Sequence, residues 1–276
     1  MTVRRRMSGR RAEALAFVVG AALLAGTWIP AAGGGVSAWE SHLFRWINDL
    51  PGGLWPVVRV PMQLGSLAGS LAVVAAIFVV TRNRRLTFAT FAASEAAYWG
   101  SKVVKTIVAR PRPAVLLHGV HLREAASGFG YLSGHTSVAV ALATALVPSL
   151  PNPGKVVAVT LALIVAFARI YAGAHLPLDV LGGTGFGILC GLVARRALGV
   201  PPRARSSCRL RPSGGAAAGA AGATAIPDPG LSTTEVSAPA FGPHKVHKAR
   251  PGVWSAATVG MTRVSGWRAV PRRGSR

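Results

Sequence analysis

Residues 156–198 read VVAVTLALIVAFARIYAGAHLPLDVLGGTGFGILCGLVARRAL. Two apolar runs, 156–171 and 180–198, flank a short polar element that carries Arg169, His175 and Asp179. Each run approaches the roughly 20 mostly apolar residues that a helix needs to cross a hydrocarbon core about 30 Å thick. Working outward, four more runs meet the same pattern, at 14–32, 64–81, 86–104 (with Glu95 inside it) and 136–150. The chain of 276 residues is 51% hydrophobic and only 14% charged, where a soluble domain carries about 25% charge. The fold class read from these runs is all-α, a polytopic membrane helix bundle of about six transmembrane helices. An ordinary soluble enzyme and a chain disordered throughout are both excluded. Residues 39–61, with Trp39, Trp46 and Trp55, read as an interfacial segment, because indole rings favour the headgroup level.

The 31 Lys+Arg outweigh 8 Asp+Glu, a net charge of +23. Such an excess raises the question of a nucleic-acid partner, and the positions of the charges answer it. Arg4, Arg5, Arg6, Arg10 and Arg11 precede the first run, and Arg82, Arg84 and Arg85 fill the second turn. Lys155 precedes the fifth run, and Arg195, Arg196, Arg203 and Arg205 follow the sixth. With six alternating helices all four clusters share one side, which the positive-inside rule assigns to the cytoplasm. Both termini are then cytoplasmic, and topology accounts for the basic excess with no nucleic acid. The Arg-rich start and the small residues 33–38 also fit a secretory signal peptide, but the run is long for one and reads as an uncleaved anchor. Cys190 and Cys208 form neither a disulfide framework nor a zinc pattern.

Three regions follow: a basic cytoplasmic N-terminus at 1–12, a six-helix membrane domain at 13–198, and a tail at 199–276. The tail is rich in Pro, Gly, Ala and Ser, with 12 Lys+Arg against Asp228 and Glu235, and no sustained period of 3.6 or 2. It reads as disordered and cytoplasmic. Its cations are suited to contact anionic lipid headgroups, at about 1 kcal/mol each near the surface. The Ala/Gly/Arg-rich style points to a bacterial cell membrane.

Polar groups on the other side are left unexplained by topology. Lys102, Lys105, Arg110, Arg112 and Arg123 lie between the third and fourth runs, opposite the basic clusters. Lys105 and Arg112 are seven residues apart, about two helical turns, and Pro111 and Pro113 end the helix. Ser133-Gly134-His135 opens the fourth run, where free backbone N–H groups and the helix dipole make an anion site. His175 and Asp179 are four apart at the start of the sixth run, so the carboxylate can hold one imidazole nitrogen and leave the other free to attack. Charges cost roughly 2.5–3.5 kcal/mol each at mid-membrane on insertion scales, so their convergence marks function. Three cations, two histidines, one carboxylate and a helix N-terminus fit phosphoryl transfer. No carboxylate cluster suited to Mg²⁺ accompanies them, so neither a metal nor a cofactor is expected.

These elements resemble the signature of the type 2 phosphatidic acid phosphatases, membrane lipid phosphatases related to bacterial acid phosphatases and vanadium haloperoxidases. That signature is Lys-x6-Arg-Pro, then Pro-Ser-Gly-His, then Ser-Arg-x5-His-x3-Asp. Lys105, Arg112 and Pro113 match the first; Ser133, Gly134 and His135 match the second, with Leu132 in place of proline; Arg169, His175 and Asp179 match the third, with Ala168 in place of serine. The resemblance implies a helical bundle and metal-independent chemistry. His175 would be the nucleophile, Asp179 would orient it, and His135 would be the general acid and base. Lys105, Arg112, Ser133, Gly134 and Arg169 would bind phosphate. It further implies hydrolysis of a terminal lipid phosphate, polyprenyl diphosphate or phosphatidic acid, at the outer face of the membrane. Two alternatives stay open: transfer of the phosphoryl or headgroup to another alcohol, and a non-catalytic protein that binds or transports phospholipid.

Four more residues are weighed against chemistry. Glu95 reads as bundle-facing and structural. His118 and His121 lack a third ligand for a metal, and His244 and His247 read as solvated. Recognition of the lipid is expected from the first three helices and residues 39–61.

Overall fold

A computed structural model of the chain describes residues 2–201, with side chains from residue 10 onward. The tail expectation, with Cys208, His244 and His247, lies outside the described residues beyond position 201. Nine helices of the described residues follow one another: α1 Thr2–Ala32, α2 Ala38–Asn48, α3 Trp55–Met62, α4 Leu67–Thr81, α5 Arg84–Val108, the single-turn α6 Pro113–Leu116, α7 Gly134–Leu146, α8 Asn152–Tyr171 and α9 Pro177–Ala197. Short 3₁₀ turns follow Pro51, Met62 and Leu146. The fold is a helical membrane bundle, as its apolar runs require.

The helix boundaries follow local chemistry. The expected run 64–81 is broken at Ser66, which is extended (φ −79°, ψ 165°) and whose hydroxyl accepts from the Gly69 N–H. This N-cap restricts α4 to 15 residues and bends it by 71° against Gly52–Gly65. Asn83 caps α5 through the Leu86 N–H, and Ala109 closes α5 in the left-handed region at φ 49°. The run 136–150 starts two residues earlier, at Gly134, and turns 3₁₀ at Val147, where Pro148 ends the regular ladder.

The expected count of six resolves unevenly. Residues 10–32, α8 and α9 are long and apolar enough to cross a membrane, and the bent pair 52–65 with 67–81 meets the test jointly. Helix α5 has the length, but Arg84, Arg85, Glu95, Lys102 and Lys105 interrupt its apolarity. Helix α7, at 13 residues, is short. Helix α7 is buried along most of its length, and α5 packs one face against the bundle and leaves Phe88, Phe91, Trp99, Val103 and Ile107 exposed on the other.

Helix α9 sits at the centre, and glycine makes that position available. A Cβ at Gly183, Gly187 or Gly191 would fall 2.5–2.8 Å from the Ser133, Ser137 and Ala141 carbonyl oxygens of or beside α7. One at Gly185 would fall 2.6 Å from the Gly20 carbonyl of α1. Membrane helices that approach this closely gain dispersion contact that larger residues would block. Helix α5 buries a stripe of small residues on one face, Ala89, Ala93, Ala97 and Ser101 among them. Its buried hydroxyls are satisfied internally: Thr90 donates to the Leu86 carbonyl and Ser101 to that of Tyr98.

Chain direction then assembles the site. Helices α5 and α8 end, and α7 and α9 begin, at one end of the bundle. Lys105 and Arg169 thus lie in last turns, His135 and Asp179 in first turns.

Candidate active site

The link from α8 to α9 folds back on itself. The N–H groups of Ala174 and His175 both donate to the Arg169 carbonyl, at 3.2 and 3.3 Å. Gly173 makes the turn at φ +73°, and a Cβ there would lie 2.7 Å from the His121 carbonyl oxygen. His175 is thereby buried at the cavity wall, its Nδ1 3.6 Å from Asp179 Oδ2 and without a hydrogen-bond partner among the described residues. That oxygen accepts instead from the Leu176 N–H at 2.9 Å, which fixes the carboxylate beside the ring.

Behind His175 lies an ionic knot. Arg110 donates to Asp179 Oδ1 at 3.0 Å and, through both terminal nitrogens, to Glu40 at 3.0 and 2.8 Å. It also donates to the Gly35 carbonyl at 2.7 Å, and Glu40 Oε1 accepts from the Leu178 N–H at 3.1 Å. The three side chains are wholly removed from solvent. Burial works against the Arg110 charge, but the carboxylates of Glu40 and Asp179 outweigh it and hold the guanidinium above its ordinary pKa.

In front of His175 a cavity of about 480 Å³ opens, walled by Lys105, Arg112, His135, Arg169 and Gly134 among others. Lys105 Nζ donates to the Phe129 and Gly130 carbonyls at 3.1 and 3.2 Å. Arg112 donates to the Ser127, Gly128 and Ala174 carbonyls at 2.7–3.1 Å. Carbonyl dipoles hold these cations in place without cancelling their charge. Arg169 is the exception, since it pairs with Glu124 of the 117–133 loop. Burial and the neighbouring Arg169 push the Arg112 pKa down. Burial, followed by Lys105, Arg169, Arg112 and His135, pushes that of His175 well below the ordinary histidine value. The site is short of negative charge by construction and keeps His175 neutral.

Six of the eight residues named from sequence line the cavity: Lys105, Arg112, Gly134, His135, Arg169 and His175. Asp179 stands behind His175. Ser133 does not line the cavity; its hydroxyl is buried and accepts from Thr136 Oγ1 at 3.0 Å, and its N–H donates to the Asp179 carbonyl. The departures from the signature fit their surroundings. Ala168 packs in an apolar cluster with Phe44, Ile47 and Leu176, where a hydroxyl would find little to bond. Leu132 is buried beside Tyr131 and Ala31.

Sequence reading missed Glu40 and Glu124 and left Arg110 as one unassigned cation of five. A signal existed: acidic residues number 8, and each one near a membrane demands a partner. Glu95 is half-buried; one oxygen accepts from Trp99 Nε1 at 3.1 Å and the other is buried without a partner. His121 lies 3.7 Å from Asp49 on the exposed rim. Arg123 clamps the loop instead of lining the cavity, with donations to the Asn48, Leu50 and Tyr171 carbonyls and a stack on the Tyr171 ring.

The PAP2 superfamily matches residues 84–200. An undecaprenyl-diphosphatase of Sulfolobus acidocaldarius is 26% identical over 114 residues, 41% of this chain, and the chain spans 55% of that protein's length. The crystal structure of Aquifex aeolicus LpxE superposes with a TM-score of 0.55 at 28% identity, over 58% of this chain and 96% of that one. A transmembrane PAP2-type phosphatidylglycerolphosphate phosphatase of Bacillus subtilis gives 0.53 at 22% identity, over 64% and 94%, a likeness of fold. The stretch matched to the PAP2 superfamily, residues 84–200, holds every residue of the cavity signature.

Proposed function

We propose that this chain is an integral membrane phosphatase that removes the terminal phosphate of a lipid phosphate or diphosphate through a phosphohistidine on His175. The observation that carries the reading is the cavity in which a buried neutral histidine faces three cations braced mainly by carbonyls, with a second histidine on the wall. Lys105, Arg112 and Arg169 neutralise the non-bridging oxygens, and the first turn of α7 adds backbone N–H groups at Gly134 and His135. His175, protonated on the Nδ1 that faces Asp179, attacks phosphorus through Nε2. An N–P bond forms as the P–O bond to the leaving group breaks, and His135 gives that oxygen its proton. Water then attacks phosphorus, His135 takes its proton, and the N–P bond breaks to release phosphate. Charge neutralisation is assigned here to side chains of the protein, which leaves no task for a metal.

The membrane unit is residues 13–198, multi-pass, with both termini cytoplasmic and the cavity at the outer face. The supporting observation is that Arg84, Arg85, Arg195 and Arg196 lie at the ends of α5 and α9 opposite Lys105 and Asp179. Undecaprenyl diphosphate comes first among substrates, because the curated relative's name specifies it, and phosphatidic acid second. The test is phosphate release by detergent-purified protein in EDTA, with polyprenyl diphosphate and phosphatidate side by side and His175→Ala as control. Release that the variant loses, by about 10³-fold or more, supports the reading; equal release from both proteins overturns it. A labelled acceptor alcohol in the same assay separates hydrolysis from transfer.

A further inference from the structure

The walls of the phosphate cavity do not end at its polar floor. On α7, His135 is followed one turn later by Ala139 and then by Ala143; on α8, Arg169 is preceded one turn earlier by Val165 and then by Ala162 and Ala158. Residues four apart share a helix face, so both faces continue inward as small and branched apolar side chains. Between them runs a groove of about 300 Å³ whose walls are apolar throughout. The third wall repeats the junction, since Gly65 lines the phosphate cavity and the adjacent Leu64 lines the groove. Gly65 can stand there because it has no Cβ, which would fall 2.4 Å from the His135 carbonyl oxygen. Three separate elements thus pass from cavity to groove without interruption.

We infer that this groove, framed by α7, α8 and the start of α4, holds the hydrocarbon chain of the substrate while its phosphate occupies the cavity. This rests on the proposed phosphatase reading and deepens it: of the first three helices expected to recognise the lipid, only the second, run 64–81, reaches the groove, through Leu64 and Val73, and α7 and α8 supply the rest. From Val165 to Gly154, the groove's extent along α8, eleven residues at 1.5 Å give about 16 Å, half of a hydrocarbon core about 30 Å thick. That length takes roughly a dozen methylene groups of an extended chain at the pitch of the helix wall. Two other crevices, of about 400 and 450 Å³, open against α1, a helix that contributes nothing to the phosphate cavity; the first backs onto the groove through Ala143 and Ala162 but carries Glu13, Thr144 and Thr184 in its wall. A chain that leaves a micelle or bilayer for the groove gains little hydrophobic energy, because lipid tails are as apolar as leucine. The groove therefore acts by aligning the phosphate, and its loss is read in turnover of long-chain substrate.

The experiment compares kcat/KM for dodecyl phosphate and butyl phosphate in one nonionic detergent, with wild type, Ala158→Phe, Leu161→Trp and Val156→Phe. Ala158 and Leu161 line the groove; Val156 is exposed on the same helix outside it. The expected result is that the two groove variants lower the dodecyl-to-butyl ratio by about tenfold or more, an alignment loss of the size a misplaced substrate incurs, and that Val156→Phe leaves it unchanged. Butyl phosphate turnover reports an intact, folded site in each variant. Equal losses on both substrates, or the same ratio in groove and control variants, overturn the inference. A dodecyl phosphate with a photoreactive diazirine at its chain end is the second measurement. Crosslinks to Leu64, Val73, Leu150, Val157 or Leu161 that Ala158→Phe abolishes and Val156→Phe does not support the groove, and crosslinks confined to α1, Val159 and Leu163 overturn it. If wild type releases phosphate from neither ester, the phosphatase reading falls while the crosslinks still decide the groove.

Discussion

Arg110 and Arg112 are two residues apart in one loop and do opposite work. Arg110 is wholly buried and paired with two carboxylates, so its charge is spent within the fold. Arg112 is held by three carbonyls and makes no salt bridge among the described residues, so its charge remains available at the cavity. The difference teaches how to tell a structural cation from a binding one where both lie close to a membrane. A carboxylate partner neutralises; a carbonyl partner only aims. By this criterion the knot behind His175 fixes Asp179, and the cations in front of it await an anion.

The largest effect tests the structural half. Arg110→Met leaves Glu40 and Asp179 buried without a counter-ion, and the expected loss is about 3–5 kcal/mol of stability. It is measured as a fall in the unfolding temperature in detergent. Unchanged thermal unfolding would dissolve the distinction between the two arginines. Arg112→Gln tests the other half: phosphate release falls by about 10²–10³-fold, the cost of one preorganised donor to transition-state charge. Its unfolding temperature stays close to that of wild type, because only hydrogen bonds to partly exposed carbonyls are lost, at about 1 kcal/mol each. A variant that loses stability as Arg110→Met does would place Arg112 on the structural side.

The same contrast explains what sequence could show. The cavity cations and histidines were legible because each sits at or next to a helix end, and because positive charge opposite the basic clusters has no topological reason. Arg110 was visible as a charge but not as a knot, because its partners Glu40 and Asp179 lie 70 and 69 positions away and nothing in local periodicity joins them. The bend at Ser66 was hidden inside an apolar run, since hydropathy records composition and not the cap that interrupts it. The family resemblance implied that Ser133 binds phosphate, but the close approach of α9 at Gly183 turns its backbone to Asp179 and buries its hydroxyl.

Arg169 stands between the two arginines, a cavity cation with a carboxylate partner. Glu124 is partly exposed, and such pairs contribute about 0–1 kcal/mol. Glu124→Gln is expected to free Arg169 and lower the inhibition constant for inorganic phosphate by roughly two- to fivefold. A weaker affinity for phosphate would instead assign Glu124 to the bracing of Arg169.

The smallest effect is a pH shift, and its sign follows from the cations. Burial and the charges of Lys105, Arg169, Arg112 and His135 hold His175 below the ordinary histidine pKa. The imidazole therefore stays neutral, and able to attack, into acid. The acid limb of kcat/KM is expected below about pH 6.5, the ordinary value. Removal of the Arg112 charge makes the imidazolium less costly, so His175 takes its proton at higher pH and the limb moves upward, by roughly half a unit for a screened charge. Wild type and Arg112→Gln are compared on one substrate, whose own phosphate titration is common to both curves and cancels in their difference. An unmoved limb would mean that Arg112 is neutralised in the working site, and it would then belong with Arg110.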